Sequence, residues 1–528
     1  MKQKAKKGLR TGAQALVEAL ERAGAEVVFG YPGANIVDVF SRLRSAKFKF
    51  VLGRHEQGCT HMADGYARAT GRPGVVIVTS GPGATNAITG LATANVDGVP
   101  MVLVSGQVPL AQIGTDAFQE ADMSGICRAA TKHCFLVKSA DEIPETVAQA
   151  FYIATHGKPG AVVIDVPKNV QEELTAAAYP ERISLRAYHP EHAASTTQVN
   201  RLAKLLNGAK RPVILAGGGV IAANAAKDVA ALARRANVPV ATTLMGVGSF
   251  DEADPLALGL TGLYGTKAAN AALAAADVVL ALGVRFNDRV TGRDVAHYVR
   301  GKRIVHVDCD PSSIDKNVPV ALGIVADVKD LLTTVSSRIR PATHAEWMKK
   351  VAAWKRADAA RTASAPYRGC SPRIAEAIAK ATKGRAILVA DVGDHQMMCA
   401  RNFPHSLPRH FLTSGGMGTM GFAIPAAIGA AIARPDEKVV AVVGDGGAQM
   451  TFEELIVAVE LKLPITFVIV NNGALGMVRT PIASPDFVKL AAAYGVKGVR
   501  VTAASKVEAA IARAVRARGP ALVEVGGW

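Results

Sequence analysis

Cysteine is scarce in this chain and unpaired in spacing. Its six copies, Cys59, Cys127, Cys134, Cys309, Cys370 and Cys399, are scattered and form no Cys-x-x-Cys. That pattern excludes a disulfide framework and points to free, mostly buried thiols in a reducing compartment. No apolar run is long enough to span a bilayer, which excludes a helical membrane anchor. Lys and Arg outnumber Asp and Glu by 61 to 44, a net charge of +17. Beyond the opening Met1–Lys7 stretch, however, they are dispersed, with no basic stripe interleaved with aromatics. The excess therefore suits anionic small molecules better than nucleic acid. That basic opening reads as a frayed tail before an amphipathic helix interrupted by Glu18 and Glu21, not as a signal peptide, so a cytoplasmic protein is expected. What is present is a globular composition, 49% hydrophobic and 20% charged, over 528 residues, enough for roughly three domains.

The most informative stretch runs from Val439 to Met477. An apolar strand, Val439 to Val443, breaks into Gly444-Asp445-Gly446-Gly447. A helical pattern follows with Phe452, Leu455, Ile456 and Val459 on one face, and a second strand, Ile465 to Val470, ends in Asn471-Asn472-Gly473. A right-handed β–α–β crossover brings both strand ends to one edge of a parallel sheet, so Asp445 and Asn472 are expected side by side. A carboxylate and an amide oxygen are hard ligands that suit Mg²⁺ or Ca²⁺ when diphosphate oxygens complete the shell. Gly446 and Gly447 let backbone N–H groups approach that diphosphate at a helix start. Either half alone reads as an ordinary turn; together they favour a metal–diphosphate site.

The rest of the chain alternates short apolar strands with helices and Gly/Pro-rich loops. In the first part, strand ends lead into Gly30 to Asn35, Arg54-His55-Glu56-Gln57-Gly58, Thr79 to Asn86 and Ser105 to Pro109. Such loops at the carboxyl edge of an open parallel sheet are where ligands bind. Glu56 is either a solvated carboxylate at a helix start or a partly buried one able to hold a proton near neutral pH. After a polar linker, 171–200, a second run has strands at Pro212–Ala216, Val238–Thr243, Asp277–Leu282 and Arg303–Val307. Gly217-Gly218-Gly219 lacks the spaced dinucleotide fingerprint and indicates only close backbone approach. Asp308 and Asp327, each after a β-like run, contact a ribose or cap the next helix. A charged helical linker, His344 to Ala365, leads to a third run that repeats the logic of the first and suggests duplication. There, Asp394 and His395 follow the strand Ile387–Ala390, His395 as a turn residue or as part of the site.

These motifs together resemble the thiamin-diphosphate enzymes of 2-oxoacid chemistry, most closely the acetolactate (acetohydroxyacid) synthase large-subunit family, over nearly the whole chain. The resemblance rests on Arg54 to Gly58, Thr79 to Asn86, Gly114 to Glu120, Thr131-Lys132-His133, Val284 to Gly292, Leu412 to Gly421 and Leu475 to Val478. It implies an α/β fold of three doubly wound parallel-sheet domains. These are a pyrimidine-binding domain at 8–180, a central FAD-type domain at 195–340 and a diphosphate/Mg²⁺ domain at 366–528. It implies an enzyme that decarboxylates pyruvate on thiamin diphosphate and transfers the hydroxyethyl carbanion to a second 2-oxoacid, as in branched-chain amino-acid biosynthesis. Glu56 matches the glutamate that activates the cofactor; Gln119, Phe118, Lys132 and Lys168 match polar and aromatic active-site positions. Asp445, Asn472 and the Ala474 carbonyl match the metal ligands. Met420 matches the wedge that bends the cofactor and Gly418 a backbone contact to it. Pro82, Asn86, Asp394, His395, Gly446, Gly447, Leu475, Gly476 and Met477 fall in the same cofactor-binding motifs. Gly217, Gly218, Gly219, Arg285, Arg289, Asp308 and Asp327 match segments that hold a structural FAD. A homodimer or homotetramer with shared active sites, and a regulatory small subunit, are implied as partners.

The chain departs from the family at defined places. Asp394 stands where Gln is usual, Lys158 where Arg is, Tyr264 where His is and Asn287 where Asp is. After Met477-Val478 the loop is shortened and lacks a Trp that narrows the acceptor pocket, and the long tail is absent after Trp528. A more open pocket is expected, with another thiamin-diphosphate decarboxylase, an acetyltransferase or a pyruvate oxidase-like enzyme as the alternative. A non-catalytic relative would show decay at Glu56, Asp445 or Asn472, and all three are present.

Overall fold

The computed structural model describes residues 8–363 and 372–526. The basic opening stretch 1–7, Cys370, the first residues of the expected third domain and Trp528 lie outside the described residues. The described residues form three six-stranded sheets in which every neighbouring pair of strands is parallel. Most of the strands are short runs of Val, Ile, Leu and Ala buried on both faces, the pattern a helix-covered parallel sheet demands. Among the described residues no helix is long and apolar enough to cross a membrane.

The first sheet contains β1 (Val27–Gly30), β2 (Lys49–Leu52), β3 (Gly74–Val78), β4 (Met101–Gln107), β5 (His133–Leu136) and β6 (Ala161–Pro167), in the order β2-β1-β3-β4-β6-β5. The second contains β7 (Pro212–Ala216), β8 (Val240–Thr242), β9 (Ala257–Leu260), β10 (Val278–Leu282), β11 (Arg303–Asp308) and β12 (Leu322–Val325). Its order, β9-β8-β7-β10-β11-β12, is that of dinucleotide-binding folds, with the switch of direction between β7 and β10. The third contains β13 (Ile387–Ala390), β14 (Phe411–Thr413), β15 (Val439–Gly444), β16 (Ile465–Asn471), β17 (Lys497–Val501) and β18 (Ala521–Gly526). Its order, β14-β13-β15-β16-β18-β17, repeats the first sheet strand for strand, in keeping with the duplication expected from the sequence.

The outer two sheets share one core. Helix α1 (Glu56–Thr70) from the first domain packs on helix α2 (Ala423–Ala433) from the third. A β-carbon on Gly65 would lie 2.1 Å from the Ala426 carbonyl oxygen, and one on Gly429 would lie 1.8 Å from that of Met62. Only glycine permits this approach. Helix α2 is almost wholly apolar and buried along nearly its whole length, as a helix sandwiched between layers must be. Phe29 and Met62 from one domain and Phe422 and Phe467 from the other belong to the same apolar cluster.

Two elements differ from expectation. The helix after Gly447 is not continuous: α3 (Asp445–Thr451) gives way to a 3₁₀ turn, Phe452–Glu454, before helicity resumes at Leu455–Glu460. Thr451 departs from helical dihedrals there and its hydroxyl donates to the Gly421 carbonyl, 2.8 Å away. The charged helix Ala345–Ala363 is more than a linker. Trp347 and Val351 bury themselves against the second domain, and the Trp347 indole donates to the Pro212 carbonyl at 3.1 Å.

Candidate active site

The carboxyl edge of the first sheet gathers one group of residues. Glu56 is the first residue of α1, half-buried, and its Oε2 accepts from the Asn86 amide at 3.0 Å. Pro82 begins the short helix Pro82–Asn86, where its missing N–H costs nothing. Gly83 leaves room for the glutamate: a β-carbon there would stand 3.3 Å from Glu56 Oε1. Gln119, at a left-handed φ of 63°, lies over Gly81, and Phe118 beside it is 86% exposed. The structure thus brings Glu56, Pro82, Asn86 and Gln119 together. Lys168, at the end of β6, ion-pairs with Asp38 and, at 3.0 Å, with Glu172. Burial lowers its affinity for a proton, but these two carboxylates outweigh it and hold its pKa above the ordinary value. It is not a free cation. Lys132 is bound inward, donating to the His156 and Lys158 carbonyls and to the Tyr188 hydroxyl at 2.8–2.9 Å. Burial lowers its pKa to about 8.

The carboxyl edge of the third sheet gathers the second group. Asp445 directly follows β15 and Asn471 ends its neighbour β16, and the buried Asp445 accepts from the Gly473 N–H at 2.8 Å, the Ser484 hydroxyl at 3.2 Å and its neighbour Gly446 at 3.0 Å. Asn472 Oδ1 accepts from the Ala474 N–H at 3.1 Å. The aspartate and the Asn-Gly turn therefore meet, as the β–α–β geometry requires. A β-carbon on Gly446 would touch Leu475 and Met420, and one on Gly476 would stand 2.5 Å from Asp394 and 3.5 Å from Asn472. Six sequence candidates thus surround Asp445 and its turn. Gly447 leaves space for the carboxylate of Asp391, a residue the sequence did not single out. Asp391 is wholly buried and binds the N–H groups of Val392, Gly421 and Ala423 at 2.8–3.0 Å, which fixes the loop carrying Gly418 and Met420. Burial pushes its carboxyl up to about 6. His395 is buried among Gly393 and Gly444, and burial lowers its pKa to about 4, so it is neutral.

In chemistry, the Asp445 carboxylate and the amide and carbonyl oxygens of Asn472 and Ala474 are hard-oxygen donors with one negative charge between them. It neutralises half of a divalent cation and leaves the rest for an anionic ligand. Nε2 of His395 is buried with no hydrogen-bond partner among the described residues, an orphan that a polar ligand at this edge would satisfy. The chemistry of these donors suits a divalent cation beside an anionic ligand.

The third group lines a cavity of about 530 Å³ at the switch point of the second sheet. Gly218, Gly219, Arg285, Arg289, Asp308 and Asp327 form its middle-domain wall, while Gly217 sits just behind, its backbone against Gly283. Gly418 and Met477 close it from the third domain, and Val96 to Gly98 from the first. Lys158, Tyr264 and Asn287, three of the departures from the family, all face it. Burial pushes Asp308 up to about 6. Asp327 does cap a helix, accepting from Lys329 and Asp330 at 2.8 and 3.2 Å, while also lining the cavity.

Two further buried carboxylates escaped the sequence reading because most of their partners lie far along the chain. Asp97 accepts from Arg68 (3.0 Å), Arg285 (3.3 Å), Gly415 N (3.0 Å) and Gly416 N (2.8 Å), joining all three domains at the cavity wall. Glu454, in the 3₁₀ turn after α3, binds backbone N–H groups just ahead of Glu56. Burial pushes its carboxyl up to about 7, against the pull of those donors.

Comparison with known proteins gives a consistent result. Residues 10–126, 199–335 and 391–525 match the N-terminal TPP binding, central and C-terminal TPP binding domains of thiamine pyrophosphate enzymes. The acetolactate synthase large subunit of Haemophilus influenzae is 41% identical over 527 aligned residues, covering 96% of this chain and 92% of that protein. The isozyme 3 large subunit of Escherichia coli is 40% identical, with the same coverage. The acetolactate synthase of Mycobacterium bovis is 43% identical over 93% of this chain and 83% of its own length.

Proposed function

The chain belongs to the acetolactate synthase large-subunit family of thiamin-diphosphate enzymes, and from that membership we propose how its residues divide the work. The reaction decarboxylates pyruvate and joins the remaining two-carbon unit to a second 2-oxoacid. The observation that carries this reading is identity of about 40% along nearly the whole chain, with Glu56, Asp445 and Asn472 all in place.

Thiamin diphosphate, when bound, supplies the electron sink for decarboxylation. Asp445, Asn472 and the Ala474 carbonyl would hold Mg²⁺, and His395, whose Nε2 has no partner among the described residues, would offer the diphosphate a hydrogen bond. Met420 and Leu475, which crowd Gly446, would pack against the cofactor, and the Gly418 backbone would contact it. Glu56, oriented by Asn86, exchanges a proton with the aminopyrimidine. The loop bearing Gln119 and Phe118 covers the 2-oxoacid and excludes water. Lys168, neutralised by its two carboxylates, serves as a fixed wall.

The partners of Glu56 lie in the first domain and those of Asp445 in the third. We assign the complete site to two copies of the chain. Exposed Phe118 on one edge and Met450, Met477 and Val478 on the other are the apolar surface such a dimer covers. FAD is assigned to the 530 Å³ cavity, whose position at the switch point suits a dinucleotide. A regulatory small subunit is assigned from the names of the relatives.

The test is product identification from pyruvate with Mg²⁺ and thiamin diphosphate, with and without 2-oxobutyrate. Acetolactate, and acetohydroxybutyrate in the mixed reaction, are expected. Acetaldehyde or acetyl phosphate as the main product overturns the reading.

A further inference from the structure

We propose that Glu454 of the third domain is the positioning residue for Glu56 of the same chain. The inference rests on the reading of Glu56 as the activating carboxylate. The Glu454 side chain is wholly buried. Its Oε1 accepts from the backbone N–H of His55 at 3.0 Å, and both oxygens accept from that of Arg54 at 3.1 Å. These two residues lead directly into α1, whose first residue is Glu56.

The surroundings are built for this contact. A β-carbon on Gly58 would fall 1.9 Å from Glu454 Oε1, so the helix carries glycine where the carboxylate rests. The Arg54 guanidinium reaches Glu460 on the same third-domain segment and the carbonyls of Leu52 and Gly53 at 3.1 and 3.2 Å. His55 Nδ1 accepts from the Gln57 N–H at 3.1 Å, closing the first turn. The 3₁₀ break at Phe452–Glu454 falls where the chain delivers Glu454 to these donors.

A helix start has N–H groups with no partner in the helix, and a carboxylate there satisfies them and suits the local dipole. Remove Glu454 and the two N–H groups ahead of α1 lose their acceptor in a buried site. Glu56 then keeps its Asn86 contact but not a fixed backbone. Misplacement of a proton-transfer group by a fraction of an ångström lowers rate without weakening cofactor binding, since the diphosphate and metal lie elsewhere.

The test compares Glu454→Ala, Glu454→Asp and Glu454→Gln with Glu56→Gln in the purified full-length protein. In the apoprotein, amide hydrogen exchange of a peptide spanning Arg54 to Gly58 is followed by mass spectrometry. In the loaded protein, exchange of the thiazolium C2 proton is followed by NMR, beside thiamin-diphosphate affinity by calorimetry. Glu454→Ala is expected to speed amide exchange and slow C2 exchange by about tenfold each, with affinity changed less than about twofold. Glu454→Asp, shorter by one methylene, should behave similarly and serves if the alanine variant does not fold. Glu454→Gln, whose amide oxygen still reaches both N–H groups, should stay within about threefold of wild type. If Glu56→Gln slows C2 exchange while the alanine and aspartate variants match wild type, the Glu454 proposal is overturned. If Glu56→Gln itself leaves C2 exchange unchanged, the reading of Glu56 falls instead.

Discussion

Asp97→Asn is a one-atom change whose effect can be worked from four hydrogen bonds. In the wild type, Oδ2 takes Arg68 and Gly415 N, both at 3.0 Å, and Oδ1 takes Gly416 N at 2.8 Å and Arg285 at 3.3 Å. The carboxylate is fully buried, so water does not substitute. An asparagine turns one of those oxygens into an NH₂ group and sets two donors against it, one of them a guanidinium. A lost charge-assisted bond is worth about 1.5–3 kcal/mol and a neutral one about 1 kcal/mol. The guanidinium groups keep other partners, Arg68 the carboxylate of Asp64 and Arg285 the Val96 carbonyl at 2.6 Å, which limits the damage. The expected loss is therefore about 3 kcal/mol, below the ceiling for an orphaned buried charge. Urea unfolding followed by tryptophan fluorescence reads it, and a double-mutant cycle with Arg285→Gln should give a coupling of about 1 kcal/mol. Because Arg285, Gly415 and Gly416 line the cavity proposed for FAD, affinity for added flavin should fall in parallel, by about tenfold. A variant within about 0.5 kcal/mol of wild type, with no coupling to Arg285, refutes the three-domain junction.

Asp445→Ala should lower Mg²⁺-dependent thiamin-diphosphate affinity by about a hundredfold in calorimetric titration, since it removes the charged group of the proposed metal site; unchanged affinity removes the metal assignment. Asp165 is buried, accepts from Ser105 at 2.7 Å and Gln107 at 2.9 Å, and is pushed by burial up to about 7. Between about pH 4 and about pH 7 the unfolded chain has released a proton that the native state retains, so this group lowers stability as pH rises through that window. Urea midpoints across it should shift in favour of Asp165→Asn relative to wild type, and a pH-independent difference sinks the assignment. Gly429→Ala would gain stability in an exposed helix, but here the new carbon meets Met62 O at 1.8 Å. A loss of about 2 kcal/mol is expected from overpacking, and a stabilised variant, measured in the same urea assay, contradicts the close crossing of α1 and α2.

The sequence was most legible where the information is local. Runs such as Val439 to Val443 can be little else than buried strands, and the crossover rule then sets Asp445 beside the Asn472 turn before any coordinate is known. The loops at strand ends likewise marked Glu56 and Asn86, the family resemblance supplied Gln119, and the fold brings the three together. Lys168 read as an active-site cation, and only the fold shows Asp38 and Glu172 against it. The second domain was harder. Gly217-Gly218-Gly219 has no spaced fingerprint, so its cavity became visible only through the order of six strands, a pairing that local periodicity does not encode.

What the chain determined by itself was the type of its most clearly patterned elements and the identity of several ligand-facing loops, because side-chain period and turn chemistry act over a few residues. What tertiary structure decided was which buried charges meet. Asp97 reaches Arg285 and Gly416, and Glu454 reaches Arg54 and His55, across hundreds of residues. A carboxylate taken out of water must find its donors wherever packing places them, and packing is a property of the whole core.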